Sequence, residues 1–236
     1  MPAAGPYRWL VFLGIALAAV TFVGLCFIVA PYGRHDRGGW GTTVPARVGR
    51  IVMESPASLL FLAFFLFGDR RFDVVPLVFL GLWQLHYVQR AFFYPLLMRD
   101  GRRMPLSAVG MAIAFNALNA WINARWISEY GSYAISWLTD PRFMIGVLVF
   151  LGGFVLNLSS DRILRRLREP GSTGYKMPYG GGYRLVSSPN YLGEIIEWVG
   201  WAVANLAPRA MANHRWYRDT FEDYSASRKA LLPYLI

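Results

Sequence analysis

The 236-residue chain is 55% hydrophobic and 16% aromatic, with a formal net charge of +10 from 24 Lys and Arg against 14 Asp and Glu. It is too apolar for an ordinary soluble domain, and its basic residues lie between apolar runs rather than in one patch, which excludes a nucleic-acid binder. The single cysteine, Cys26, excludes an intrachain disulfide framework and a Cys-rich zinc site.

The first uncharged run, Trp9 to Ala30, is longer than the apolar core of a signal peptide and reads as a retained membrane span. A loop with Arg34, Arg37, Arg47 and Arg50 leads to a second span, Ile51 to Phe67, clean except for Glu54 near its start. After a short turn carrying Arg70 and Arg71, a third span runs from Val74 to Met98 and holds the polar cluster Gln84, His86, Tyr87, Gln89 and Arg90. The basic loop MRDGRRMP precedes a fourth span, Leu106 to Ile122, and a fifth covers Phe143 to Leu158. A basic, glycine-rich connection from Arg162 to Pro189 then opens the last apolar helix. The expected fold is therefore a single all-α integral membrane domain over residues 1–236, a multi-pass bundle of six to seven transmembrane helices.

Loop charge orients the bundle. The loops after spans 1, 3 and 5 hold most of the arginines, and those after spans 2 and 4 hold only Arg70, Arg71, Arg125 and Arg142. The positive-inside rule then puts the N-terminus outside. The tail, with Arg209, Arg215, Arg218, Arg228 and Lys229, belongs by the same rule in the cytoplasm. An odd number of spans is needed, yet six are counted. The passage WAVANLAPRAMANHRW is too short and polar for another span of about 20 apolar residues. A segment missing near 204–206 resolves the conflict; a re-entrant or shortened helix is the alternative.

Chemistry concentrates in SSPNYLGEIIEWVG, Ser187 to Gly200, where Glu194 and Glu197 stand one helical turn apart inside apolar sequence. Carboxylates at membrane depth are costly and face a partner or a cavity. The bland alternative, an interfacial helix wetted by water, fits less well because apolar sequence continues through Ala204. Asn116, Asn119 and Asn123 give span 4 an amide-bearing face, for which interhelical hydrogen bonding is the bland account. His86 alone reads as a packing histidine. No HExxH or similar spacing argues for a metal. The glycines of YGGGY, Tyr179 to Tyr183, lack the dinucleotide-binding spacing and read as a flexible loop. Phosphate charge would have to meet arginines instead, with Arg102, Arg103, Arg168, Arg215 and Arg228 as candidates, although each is equally explained as a positive-inside residue.

Three stretches, LHYVQRAFFYPLLMR, NLSSDRILRRLREPGSTGYKMPYGGGYRLVSSPNYLGEIIEW and HRWYRDTFEDYSASRKALLPYLI, together resemble the steroid 5α-reductase (3-oxo-5α-steroid 4-dehydrogenase) family. The similarity runs from about Glu54 to the C-terminus and is strongest from Asn157 onward. It implies seven spans with a cytosolic C-terminus, and NADPH-dependent reduction of the Δ4 double bond of 3-oxo-Δ4 steroids to 5α-dihydro products. Hydride addition at C5 pushes charge onto the 3-oxo oxygen, so the site must hold a hydrogen-bond donor there. Tyr87 suits that role and Glu54 could orient its hydroxyl; both match the family's substrate-carbonyl pair, with Arg90 bordering the same face. By resemblance Asn157, Asp161, Arg168, Tyr175, Asn190, Glu194, Tyr217 and Arg228 fall at cofactor positions, joined by Arg102 and Asn119. At Asn213 the family often has histidine, which makes His214 the adjacent candidate. The resemblance implies a monomer working on a lipophilic substrate among membrane lipids, in a bacterial inner membrane or in the endoplasmic reticulum of a eukaryote. An isoprenylcysteine-type methyltransferase using S-adenosylmethionine, a sterol C14 or C7 reductase, and a non-enzymatic lipid-binding scaffold are the competing readings.

Overall fold

The computed structural model describes residues 4–28, 39–98, 103–167, 176–220 and 222. Its elements are helix α1 (Ala4–Phe27), strand β1 (Thr43–Pro45), α2 (Ala46–Leu66), α3 (Val74–Val88), a π-helical turn (Gln89–Phe93), α4 (Tyr94–Leu96), strand β2 (Arg103–Pro105), α5 (Leu106–Arg125), a second π-helical turn (Trp126–Tyr130), α6 (Pro141–Arg166) and α7 (Pro189–Thr220), with short 3-10 turns at Ile135–Thr139 and Gly181–Arg184. Among the described residues, four helices are long and apolar enough to cross a membrane: Gly5–Phe27, Ala46–Leu66, Leu106–Tyr130 and Pro141–Arg166. The protein is an all-α membrane protein. Leu148, Val155, Ile195 and Val199 point outward, as expected where the solvent is hydrocarbon.

The chain divides into two compact units, Met1–Gly131 and Ser132–Ile236. In the first, β1 and β2 pair antiparallel with Thr43 opposite Pro105 and Pro45 opposite Arg103. Each strand ends in the proline from which a helix starts, so α2 and α5 begin side by side and run parallel. Arg103 locks the ribbon, its Nε donating to Thr43 Oγ1 at 2.7 Å and its NH2 to the Thr43 carbonyl at 2.6 Å. Helix α3 returns antiparallel to α2: Trp83 Nε1 donates to the Ala57 carbonyl at 2.7 Å, and Gln84 exchanges two bonds with Ser58. Helix α1 meets the far end of α5, where the Tyr7 hydroxyl donates to the Ile122 carbonyl at 3.1 Å.

Three local features follow from composition. Pro56 lies inside α2 and has no N–H for the Val52 carbonyl; the Ser55 hydroxyl donates to that carbonyl at 3.4 Å. Asp140 caps α6, accepting from the Arg142 backbone N–H at 2.9 Å and from its guanidinium at 2.8 and 2.5 Å. The hydrogen bond from the Arg142 side chain holds the Asp140 carboxyl below its usual value. Both π turns close i→i−5, the second ending where Gly131 N donates to the Trp126 carbonyl at 2.6 Å.

The second unit is built on an antiparallel α6–α7 pair. Gly146 and Gly153 on α6, and Gly193 and Gly200 on α7, each recur at seven residues and stack one stripe against the other. A Cβ on Gly146 would lie 2.7 Å from Ala204 N, and one on Gly193 would lie 2.6 Å from Asn157 N. These backbones touch. Helix α7 continues unbroken through the 204–206 region to Thr220, 32 residues in all. At 1.5 Å per residue that is about 48 Å, more than a hydrocarbon core of about 30 Å.

Candidate functional site

Two polar constellations sit inside otherwise apolar surroundings, one in each unit. The first is at Tyr87. Because Trp83 of α3 is bonded to Ala57 of α2, one turn back on α2 and one turn on along α3 bring Glu54 and Tyr87 to the same level of the antiparallel pair. The Tyr87 ring is buried at 6% exposure, 4.7 Å from the Trp83 ring, which stacks at 4.3 Å on Phe61. Asn119 on α5 directs its Nδ2 at the Tyr87 hydroxyl, 3.4 Å away. Asn123, one turn on, donates from its Nδ2 to the Asn119 Oδ1 at 2.9 Å and to the Asn119 carbonyl at 3.0 Å. Asn116 Nδ2 donates to the Met53 carbonyl at 2.6 Å, tying α5 to α2 beside Glu54.

The Glu54 side chain is half-buried and makes no hydrogen bond or ion pair among the described residues. The amide of Asn119, expected at the cofactor, is what reaches the Tyr87 hydroxyl; Glu54, expected to orient it, makes no hydrogen bond to it. Arg90 lies in the first π turn with its guanidinium 4.9 Å from the Tyr94 ring centre. His86 is buried, its ring edge-on to Tyr87 at 4.8 Å, a packing role.

The second constellation straddles the α6–α7 seam where α7 begins. Asn157 Nδ2 donates to the Asn190 carbonyl at 2.9 Å and to Glu194 Oε1 at 3.3 Å. Asn157 and Asp161 are buried on α6 one turn apart, and Glu197 is fully buried on α7 one turn beyond Glu194. The glycine stripes explain this: Gly153 and Gly193 bring the backbones close enough for short amide and carboxylate side chains to meet across the seam. Asn190 joins through its main-chain carbonyl. Of the GEIIE pair, Glu194 is half-buried and Glu197 is buried, although the resemblance points to Glu194 alone.

The remaining expected residues fall as follows. His214 is half-buried on the last turns of α7, and Tyr217 lies on the same helix, with its side chain outside the described residues. Arg102, Arg168, Tyr175 and Arg228 lie outside the described residues. Within YGGGY, Gly180 and Gly181 take positive φ of 86° and 52° and turn the chain so that Gly182 abuts Pro189 and Leu156. Asn123 shares the amide-bearing face with Asn116 and Asn119, and its position four residues after Asn119 is the signal in the sequence of a connected amide pair.

Comparison with known proteins bears on the chemistry. The sequence profile of the 3-oxo-5-alpha-steroid 4-dehydrogenase family matches residues 102–236. The chain is 38% identical over 246 residues to 3-oxo-5-alpha-steroid 4-dehydrogenase 1 of Bos taurus, covering 96% of each chain. It is 41% identical over 223 residues to the protein of the same name from Macaca fascicularis, covering 86% of this chain and 84% of that one. It is 39% identical over 252 residues to steroid 5-alpha-reductase DET2 of Arabidopsis thaliana, covering 97% of this chain and 96% of that one. A non-enzymatic scaffold and a methyltransferase do not account for matches of this extent. With an all-α membrane fold and two enclosed polar constellations beside them, the matches mean that this chain belongs to the 3-oxo-5-alpha-steroid 4-dehydrogenase family and is a steroid 5-alpha-reductase-type oxidoreductase.

Proposed function

We propose that this enzyme reduces the Δ4 double bond of 3-oxo-Δ4 steroids with NADPH, giving 5α-dihydro products, with Tyr87 and Glu54 polarising the 3-oxo group. The observation that carries this reading is the buried Tyr87 hydroxyl, held by the Asn119 amide at 3.4 Å inside the Phe61–Trp83 aromatic wall. As hydride adds at C5, the C4=C5 electron pair moves toward C4 and the 3-oxo oxygen, and the enolate so formed takes a proton from water at C4 as the 3-oxo group re-forms. Tyr87 donates its proton in a hydrogen bond to that oxygen, and in an apolar surround such a donor is worth about 10²–10³ in rate. Accepting from Asn119 polarises the Tyr87 O–H and strengthens that donation. Glu54, level with Tyr87 and half-buried, is assigned to hold the carbonyl end of the substrate; Arg90 borders it.

Asn157, Asp161, Asn190 and Glu194 present amide donors and carboxylate acceptors suited to ribose hydroxyls and a carboxamide, and they would hold the nicotinamide nucleotide. When bound, NADPH supplies the hydride. Arg102, Arg168 and Arg228 are assigned to its phosphates, whose planar recognition suits guanidinium, with Tyr175, His214 and Tyr217 completing the set. The working form is taken as a monomer among membrane lipids.

For topology we propose seven spans with the N-terminus outside and the C-terminus cytoplasmic, one span's worth of sequence being absent near 204–206. Pairing of the segments before α2 and α5 supports placing the loops after spans 1 and 3 on one face. The match to the bovine relative runs over 246 positions but takes in 96% of this 236-residue chain, about 227 residues, leaving roughly 19 positions without a counterpart here.

The test is NADPH oxidation by the solubilised full chain with testosterone or progesterone, with identification of the product. A 5α-dihydro steroid is expected, and no reduction of either steroid overturns the reading. Tyr87→Phe and Glu54→Gln should cut turnover, about 10²-fold or more for Tyr87, while leaving NADPH affinity unchanged. Asn190→Ala and Arg168→Ala should do the reverse. Full turnover in both members of the first pair removes them from the chemistry.

A further inference from the structure

We infer that Asn123 and Asn119 form an amide relay that sets the direction of the Tyr87 hydroxyl, which makes both of them positioning residues for the reaction. The inference rests on the assignment of Tyr87 as donor to the steroid carbonyl and extends it to two residues behind that donor.

A primary amide has one acceptor side and one donor side, and which one faces Tyr87 decides what the phenol can do. If the Asn119 Oδ1 faced the phenol, it would take the Tyr87 proton, and the phenol would have none to give the substrate. Asn123 prevents this. Its Nδ2 stands 2.9 Å from the Asn119 Oδ1 and 3.0 Å from the Asn119 carbonyl, so its two protons satisfy both oxygens and hold Oδ1 on the Asn123 side. The Asn119 Nδ2 is thereby turned to the phenol oxygen at 3.4 Å. Since that oxygen accepts from Asn119, its proton is directed away from α5. The third amide of the face, Asn116, plays no part, because its Nδ2 is committed to the Met53 carbonyl at 2.6 Å. The four-residue spacing of Asn119 and Asn123 is what allows one amide to brace the next along the helix.

The relay is tested by steady-state kinetics on the full-length enzyme in detergent with progesterone and NADPH. Asn123→Leu should lower kcat about three- to tenfold, the range of one neutral hydrogen bond, with the KM for NADPH unchanged. Asn123→Gln returns an amide donor to the same turn and should stay within about twofold of wild type. Tyr87→Phe/Asn123→Leu should be no slower than Tyr87→Phe alone, because the relay has nothing left to direct. Should Asn123→Leu fail to fold, Asn119→Asp takes its place: it keeps the size, offers only acceptors to the phenol, and should lower kcat at least as far. The relay is overturned if Asn123→Leu runs at full speed, if Asn123→Gln is as slow as Asn123→Leu, or if the two losses multiply in the double variant. A raised KM for NADPH in the Asn119 or Asn123 variants would place the amides at the cofactor and overturn it as well. Wild-type turnover in Tyr87→Phe removes the underlying assignment, and a slow Tyr87→Phe beside an unaffected Asn123→Leu removes the relay alone.

Discussion

Replacing Gly193 with alanine should damage the α6–α7 pair and the polar cluster it carries in one stroke. The added methyl would sit 2.6 Å from the Asn157 backbone nitrogen and 2.7 Å from the Gly153 carbonyl oxygen, both backbone atoms of a facing helix. Non-bonded heavy atoms settle near about 3.5 Å, so α6 must retreat by about 0.9 Å. Taken up rigidly, that shift stretches the 2.9 Å bond from Asn157 to the Asn190 carbonyl to about 3.8 Å, beyond hydrogen-bond reach. The 3.3 Å bond to Glu194 goes with it. Overpacking costs about 1–3 kcal/mol and the lost bonds about 1 kcal/mol each. For a chain of this size the melting midpoint should fall by at least about 5 °C. NADPH affinity should fall too, because the displaced amide belongs to the proposed cofactor cluster. Gly152→Ala is the control: nothing lies within 4 Å of its Cβ position, and alanine should hold or raise stability by about 0.5–1 kcal/mol. Thermal denaturation in detergent with NADPH titration reads both. A Gly193→Ala enzyme that melts with wild type and binds NADPH as tightly would refute the close-packed seam.

Two more substitutions test the frame. Gly68→Ala would drive a methyl into the Ser128 side chain and carbonyl, where the turn after α2 docks on the second π turn; a loss of about 1–3 kcal/mol is expected in thermal denaturation. Asp140→Ala removes the cap of α6 and should cost about 0.5–2 kcal/mol at neutral pH. Because Arg142 lowers the folded-state pKa of Asp140, its stabilisation is full above the ordinary value of 3.8 and is lost as pH falls through the lower folded value. The gap between wild type and Asp140→Asn in melting midpoint should therefore narrow in acid; a gap that widens would contradict it.

How much of this was legible beforehand differs by element. Spans 1, 2, 4 and 5 appear as α1, α2, α5 and α6, because a predominantly apolar run of that length satisfies its own backbone groups in lipid by forming a helix. Their ends moved. Helix α2 starts at Ala46, where Pro45 closes a strand and opens a helix, and α6 runs to Arg166, because its polar last turns remain helical beyond the apolar run. Neither π turn was anticipated, since an extra residue in a helix is decided by what its flanks pack against. The last helix runs on through 204–206 to Thr220, although WAVANLAPRAMANHRW reads as too short and polar for another span, because alanine-rich sequence holds helix without apolar burial.

Sequence alone determined the membrane class, the family, the placing of Tyr87 and Glu54 on neighbouring spans, and that of Glu194 and Glu197 one turn apart on the last apolar helix. Apolar length and one-turn spacing are properties of a single segment, readable without knowing its neighbours. Tertiary structure decided which amide meets which partner: Asn119 at the Tyr87 hydroxyl, Asn116 at the Met53 carbonyl, Asn157 across the seam at Asn190 and Glu194. Helical periodicity assigns residues to a face but is silent on what faces them. That is set by inter-helix register, and here register depends on pairwise contacts, the Trp83–Ala57 bond in one unit and the interlocked glycines in the other.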